Sequence, residues 1–318
     1  MSQLLTRRSS IFTLLGTSGF VLPALSAFAQ TRGGEQEHDF GLLVMAHGGG
    51  PTWNREVEAM LAPLRGDYHV EIAFGMAEST SLQEGVRKLE AQGPSRIGVV
   101  RLFISGESWY ARTEQILGLR PGAPPRPAAE AHGGHNDHAG HSMANWRINT
   151  NAAFALTTQG LAEAPEIGAV LAERARALSG DVRQESVLNI AHGPADNAEN
   201  HRWLAHIDAR AAVVRQSAPF RRVHVESLRE DSPAKRSASE ARIRAFVDEA
   251  RRDSGRVIVI PFRVAGFGPY ARVLEGLPYA SDGRALLPSA EVEHWVRRQA
   301  QELKAGTFRI PARAPERE

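Results

Sequence analysis

The chain of 318 residues carries 38 Lys and Arg against 36 Asp and Glu, with 12 His and no Cys. The absence of cysteine excludes disulfides, thiolate catalysis and cysteine-bound metal clusters, so any metal chemistry must use histidine, carboxylate or methionine. The nearly balanced charge and an aromatic content of 7% argue against a nucleic-acid-binding protein.

The first 29 residues have the three parts of an export signal. Arg7 and Arg8 form the charged region, residues 11–25 the apolar region, and residues 27–29 (Ala-Phe-Ala) the cleavage site. The paired arginines resemble a twin-arginine signal. We therefore expect a periplasmic or secreted protein with no stable membrane insertion after cleavage. The alternative is an uncleaved anchor, which Pro23 and the short apolar stretch disfavour.

Strands and helices alternate along the rest of the chain. Residues 40–46 form a continuous apolar run, typical of a parallel strand that is buried on both faces. Helical spacing over 54–64 and 82–89 precedes a predicted strand at 97–104. The second half follows with predicted strands at 187–191, 223–228 and 257–262 and predicted helices at 197–215 and 233–252. This alternation predicts an α/β fold of two similar lobes, each a parallel sheet flanked by helices.

The two halves are also similar in sequence. Residues 42–48 recur as residues 187–193, and both segments end in His-Gly. Tyr-Ala-Arg at residues 110–112 recurs at residues 270–272. Because the matching features occur in the same order, the sequence predicts an internal duplication.

The first half contains an insertion of about 35 residues that the second half lacks. A Pro-rich run at 120–127 is followed by His132, His135, His138 and His141 among glycines and small residues. A flexible histidine-rich segment suits Co²⁺, Ni²⁺, Zn²⁺ or Cu²⁺, so we predict these four histidines to be metal ligands. The alternative is a disordered loop with adventitious metal affinity.

These observations divide the chain into six predicted segments. They are the export signal (1–29), the first lobe (38–120), the insertion (121–147), a helix completing the first lobe with a linker (148–185), the second lobe (186–305) and a tail (306–318).

Histidine and acidic residues follow the predicted strands. His47 and His192 occupy equivalent strand-end turns, Glu78 and Glu230 follow the second strand of each half, and Glu107 follows the third strand of the first half. Ligands of parallel sheets bind at the carboxyl ends of the strands, and histidine is the commonest metal ligand. We therefore predict His47 and His192 as metal ligands.

This pattern resembles the sirohydrochlorin cobaltochelatases of the CbiX type, class II chelatases that insert a divalent metal into a tetrapyrrole. The resemblance covers residues 38–118 and 160–305, as in the long, duplicated members of the family. It rests on the order of four segments, which are residues 43–49 (Leu-Val-Met-Ala-His-Gly-Gly), 77–79 (Ala-Glu-Ser), 99–103 (Val-Val-Arg-Leu-Phe) and 165–178 before the second His-Gly turn.

The resemblance implies a tetrapyrrole partner, a divalent metal (cobalt, nickel, iron or zinc) as substrate or ligand, and no organic cofactor. It implies that His47 binds the metal while Glu78 assists. The family has a second metal-binding histidine shortly after the strand that ends in Leu102-Phe103, and neither half of this sequence has it. Glu107 stands near that position, either as an oxygen ligand or proton acceptor or as a solvated loop acid.

Three further residues are predicted to bind substrate. Arg112 and Arg272 suit the carboxylates of a tetrapyrrole, because a guanidinium group binds carboxylate through two hydrogen bonds, and Glu230 stands where the first half has Glu78. Surface salt bridges are the alternative for the arginines.

Export and the His-rich insertion also favour a rival function, a non-catalytic periplasmic metal carrier or sensor on a chelatase scaffold. The oligomeric state is left open.

Overall fold

The computed structural model describes residues 39–127, 144–252 and 255–312, so the predicted export signal and the four inserted histidines lie outside the described residues. The strands are β1 (Phe40–Ala46), β2 (His69–Phe74), β3 (Arg96–Leu102), β4 (Ala153–Leu156), β5 (Glu185–Ala191), β6 (Arg222–Ser227) and β7 (Arg256–Phe262). The helices are α1 (Pro51–Leu61), α2 (Ser79–Ala91), α3 (Tyr110–Ile116), α4 (Glu166–Leu178), α5 (Asn197–Ser217), α6 (Pro233–Arg252), α7 (Tyr270–Val273) and α8 (Ala290–Ala305). None of these helices has the length and apolar character needed to cross a membrane.

The strands form two parallel sheets, one in each half of the chain. Their orders are β2-β1-β3-β4 and β6-β5-β7. The central strand β1 pairs in parallel with β2 and β3, and β5 pairs in parallel with β6 and β7. The second sheet has a single parallel bridge between Ile258 and Ala280 beside β7, where the first sheet has β4. The predicted α/β fold of two similar lobes is confirmed.

The central strand of each sheet, β1 or β5, is buried on both faces. In β1, Leu42 and Val44 face a core to which both lobes contribute, while Leu43 and Met45 face a second core beneath α2. Neighbouring residues of a strand point to opposite faces, so burial on both sides requires an uninterrupted apolar run. All seven residues of β1 are buried, as that run predicted.

Two helices are exchanged between the lobes. Helix α4 packs against α5 and β7 of the second lobe, whereas α8, at the end of the chain, packs against β3 and α1 of the first lobe. Gly168 permits the close approach of α4 and α5, because a Cβ there would lie 2.5 Å from a methyl group of Val213. The segment 148–185 was expected to complete the first lobe, and its strand β4 does join the first sheet. Its helix α4 instead covers the second sheet.

The chain after α8 also returns to the first lobe. Arg309 forms an antiparallel bridge with Phe154 of β4, and its guanidinium lies 2.7 Å from the Glu114 carboxylate. The ring of Phe308 packs edge-on against Phe40, with 6.2 Å between ring centroids. Residues 306–312 are therefore an edge segment of the first sheet, and together with α8 they tie the two lobes together.

Candidate functional site

A cleft of about 810 Å³ lies between the lobes, and the turns that follow β1 and β5 both line it. His47 comes from the first turn and His192 from the second. The cleft walls also include the loop after β3, the first turn of α5 and the loop after β7. The volume lies within the range of small-molecule sites, which commonly form at the carboxyl ends of parallel strands.

The two His-Gly turns have the same backbone geometry. Gly48 and Gly193 each have a φ of 78°, in the left-handed region that glycine adopts readily. The residue before each histidine, Ala46 or Ala191, accepts a hydrogen bond through its carbonyl oxygen from the backbone N–H that follows the neighbouring strand, at 2.9 and 2.8 Å. The duplication has thus preserved a turn that presents a histidine at the mouth of the sheet.

His47 is an exposed side chain whose Nδ1 lies 2.8 Å from the carbonyl oxygen of Gly48. A carbonyl oxygen can only accept a hydrogen bond, so Nδ1 carries the proton in this contact. The lone pair of Nε2 is then available to a metal ion.

Glu78 is half-buried at the residue before α2 and does not belong to the described cleft lining. Among the described side chains it forms no ion pair with His47.

His192 lies beside two carboxylates. Its Nε2 is 3.4 Å from Oδ1 of Asp231 and 3.9 Å from Oε2 of Glu230. The other oxygen of Glu230 accepts a hydrogen bond of 2.6 Å from Arg263, so this carboxylate is shared between the histidine and a cation. Sequence reasoning missed Asp231 as a site residue, and the adjacent acids at positions 230 and 231 were the available signal.

Glu107 lies on the cleft wall of the first lobe and forms an ion pair with the second lobe. Nε and Nη2 of Arg202 each donate to a carboxylate oxygen of Glu107 at 2.6 Å. These hydrogen bonds hold the pKa of the Glu107 carboxyl below its usual range, because they favour its charged form. The pair makes Glu107 a weak proton acceptor in this arrangement.

The two arginines predicted to bind substrate lie elsewhere. Nε of Arg112 donates to the carbonyl oxygen of Ala77 at 2.8 Å, and Nη2 donates to that of Ala144 at 3.2 Å. Arg272 is exposed on the single turn α7. Neither arginine belongs to the cleft lining in the described ranges. Arg112 instead holds together two loop segments of the first lobe.

The charge of the cleft is predominantly negative. Its described lining contains the carboxylates of Glu107, Asp196, Glu199 and Asp231 and the guanidinium of Arg263. A cleft lined mainly by one sign of charge attracts ions of the other sign.

No group of three or more His, Asp or Glu side chains suited to a metal ion occurs within residues 39–127, 144–252 and 255–312. Metal binding by the described residues therefore requires a further ligand from the substrate, solvent or elsewhere in the chain.

Comparison with known proteins agrees with the resemblance seen in the sequence. Residues 41–177 match the CbiX family. No curated protein matches the sequence. The matched residues run from β1 into α4 and include His47, Glu78 and Glu107.

Three solved structures share the fold. SirB from Bacillus subtilis with Fe³⁺ has a TM-score of 0.60 at 13% identity, over 84% of this chain and 96% of that protein. The cobalt complex of the sirohydrochlorin chelatase SirB from Bacillus subtilis subspecies spizizenii has a TM-score of 0.54 at 12% identity, over 85% and 99%. A multi-domain protein from Deinococcus radiodurans with structural similarity to chelatases has a TM-score of 0.53 at 16% identity, over 86% and 57%. The chain therefore has a chelatase-like fold across both lobes.

Proposed function

We propose that this chain, which matches the CbiX family over residues 41–177 and has a chelatase-like fold, inserts a divalent metal into a sirohydrochlorin-type tetrapyrrole in the interlobe cleft. One observation carries the proposal: two equivalent His-Gly turns, one from each lobe, line a single cleft of about 810 Å³. Trp53, Trp109 and Trp203 also line the cleft and supply flat apolar surface for a macrocycle.

Metal insertion needs a ligand for the incoming cation and acceptors for two pyrrole N–H protons. His47 serves as the ligand, because its Nδ1–H donates to Gly48 and leaves Nε2 free. The resemblance to the CbiX family assigns one of these protons to Glu78, which is half-buried at the start of α2, just outside the described cleft lining. The ion pair with Arg202 weakens Glu107 as the second acceptor, so another group is required.

We assign this activity to the periplasm, since residues 1–29 have the composition of an export signal. Cobalt, nickel and iron are the proposed metals. The histidine-rich insertion supports the proposal, because His132, His135, His138 and His141 are suitable ligands for the incoming divalent metal.

The direct test is insertion of Co²⁺ or Ni²⁺ into sirohydrochlorin, followed by absorption spectroscopy. The substitution His47→Ala should lower the rate by at least about tenfold, since it removes the metal ligand. His69→Ala is the matched control, because His69 belongs to β2 of the same lobe and its Nδ1 lies 2.9 Å from Oε1 of Gln92. Insertion by the His47 variant at the wild-type rate would refute the assigned role.

The acidic lining of the cleft favours a second candidate, a periplasmic metal carrier or sensor. A divalent cation is attracted by Glu107, Asp196, Glu199 and Asp231, whereas the carboxylates of a sirohydrochlorin-type tetrapyrrole are repelled by them. A carrier would need no turnover and no second catalytic histidine. Export and the inserted histidines support the same reading.

Calorimetry separates the two candidates. Ni²⁺, Co²⁺ and Zn²⁺ are titrated into the intact protein and into a variant that lacks residues 131–143, and sirohydrochlorin is titrated into both. Tight metal binding that is lost entirely with the deletion, together with no affinity for the tetrapyrrole, supports the carrier. Tetrapyrrole binding that survives the deletion supports the chelatase.

A further inference from the structure

Glu199 is a half-buried acid on the cleft wall, in the first turn of α5. Its backbone N–H donates to Oδ1 of Asp196 at 2.8 Å, so the start of the helix is capped and the residue is held by a regular backbone. A group placed on a rigid element can be aimed at a ligand more accurately than a group on a loop. The backbone of Glu199 therefore has a fixed position on the cleft wall.

The charged groups around Glu199 do not neutralise it. Asp196 caps α5, Arg202 belongs to that helix, and Glu107 faces Glu199 from the first lobe. Nε and Nη2 of Arg202 both donate to Glu107, at 2.6 Å each. Within the described part of the chain, Glu199 forms no ion pair of its own. Trp203, 7% exposed, lies one turn further along α5, and its indole lowers the pKa of Glu199 by less than burial raises it.

These surroundings give the two facing carboxyl groups, those of Glu199 and Glu107, different pKa values. Burial raises the pKa of Glu199, and the negative charge of Glu107 raises it further. The hydrogen bonds from Arg202 lower the pKa of Glu107. When the environments of two neighbouring acids separate their pKa values, the acid with the higher value is the better proton carrier near neutral pH.

We propose that Glu199 is the second proton acceptor of the metal-insertion reaction, a catalytic residue that rests on the function proposed above. As the metal ion binds the four pyrrole nitrogens, two of which carry a proton, two N–H bonds break. One proton passes to the Glu199 carboxylate, which becomes a neutral carboxyl group, and the other passes to Glu78. Two protons leave as one divalent cation enters, so charge balances without any redox partner. The carboxyl groups then return their protons to solvent through the open cleft.

The experiment is single-turnover insertion of Co²⁺ into sirohydrochlorin over a range of pH, with tetrapyrrole affinity measured separately by quenching of tryptophan fluorescence. Glu199→Gln should lower the insertion rate by about 10²–10⁴-fold, a range typical of the loss of a general base, with little change in tetrapyrrole affinity. The rise of the wild-type rate with pH, as Glu199 loses its proton, should disappear in this variant. Glu199→Asp should restore part of the rate.

Glu58→Gln is the matched control, because Glu58 is an exposed acid on α1, the helix that follows the equivalent turn of the first lobe. It should behave as wild type. If wild type inserts metal and Glu199→Gln does so at the same rate and with the same pH profile, the role of Glu199 is overturned while the proposed function stands. If wild type neither binds nor metallates the tetrapyrrole, both are overturned.

Discussion

The duplicated His-Gly turns allow a comparison of how much stability is lost when a methyl group is added at two equivalent glycines. Gly48 and Gly193 have the same φ of 78°, but their surroundings differ. A Cβ at Gly193 would lie 2.7 Å from Cβ of Ser227 and 3.0 Å from the backbone nitrogen of Arg229, whereas a Cβ at Gly48 would lie 3.3 Å from its nearest neighbour, Cβ of Phe74. The substitution Gly193→Ala should therefore be the more damaging.

The expected magnitudes follow from two contributions. An alanine forced into the left-handed region costs about 1–2 kcal/mol at either position. Forcing apart the close neighbours of Gly193 adds about 1–3 kcal/mol, as in an overpacked core. We expect Gly48→Ala to lower the free energy of unfolding by about 1–2 kcal/mol and Gly193→Ala by about 2–5 kcal/mol.

Urea unfolding, followed by circular dichroism, measures this difference as a shift in midpoint at constant slope. Gly276→Ala is the control for backbone strain alone, because Gly276 also has a φ of 78° and an added Cβ would meet no atom within 4 Å. A loss of stability in Gly193→Ala no larger than that of the control would refute the steric argument.

Three further predictions concern the contacts that join the parts of the molecule. Arg202→Gln should change the free energy of unfolding by less than about 1 kcal/mol, because both partners of the ion pair are half-exposed, and an NMR titration should show the pKa of Glu107 rising towards its usual range. Burial alone would raise the pKa of Glu185, but hydrogen bonds from Ser179, the Gly180 N–H and Arg256 outweigh it and lower the pKa. A lowered folded-state pKa stabilises the protein above the ordinary glutamate value of about 4.3, and this contribution is lost as pH falls through the folded value. The destabilisation caused by Glu185→Gln, measured by urea midpoints, should therefore be largest near neutral pH and shrink below pH about 4; a deficit independent of pH would contradict this. Deletion of residues 306–318 should accelerate hydrogen exchange at the Phe154 amide, which donates to the carbonyl of Arg309 at 2.8 Å, and leave exchange in β1 unchanged.

Much of the fold could be predicted because its signals are local. The apolar run of β1 predicted residues 40–46, which are the bounds of the strand. The predicted helix 233–252 likewise coincides with α6. Strand β4 was missed, since its four residues are too short to show a periodic pattern. The exchange of α4 and α8 was missed because an amphipathic helix does not specify which of two similar sheets it covers.

The site divides in the same way. The sequence by itself determined the duplicated His-Gly turns. Each turn consists of a histidine and a glycine that directly follow a buried strand, so neighbouring residues in the chain are enough to specify it. Only the tertiary structure decided that Arg202 engages Glu107 across the two lobes, 95 residues apart in the chain, and that Glu199 faces the same pair. The physical reason is that burial and ion pairing set how readily a carboxyl group takes up a proton, and both depend on groups that meet only when the lobes pack together.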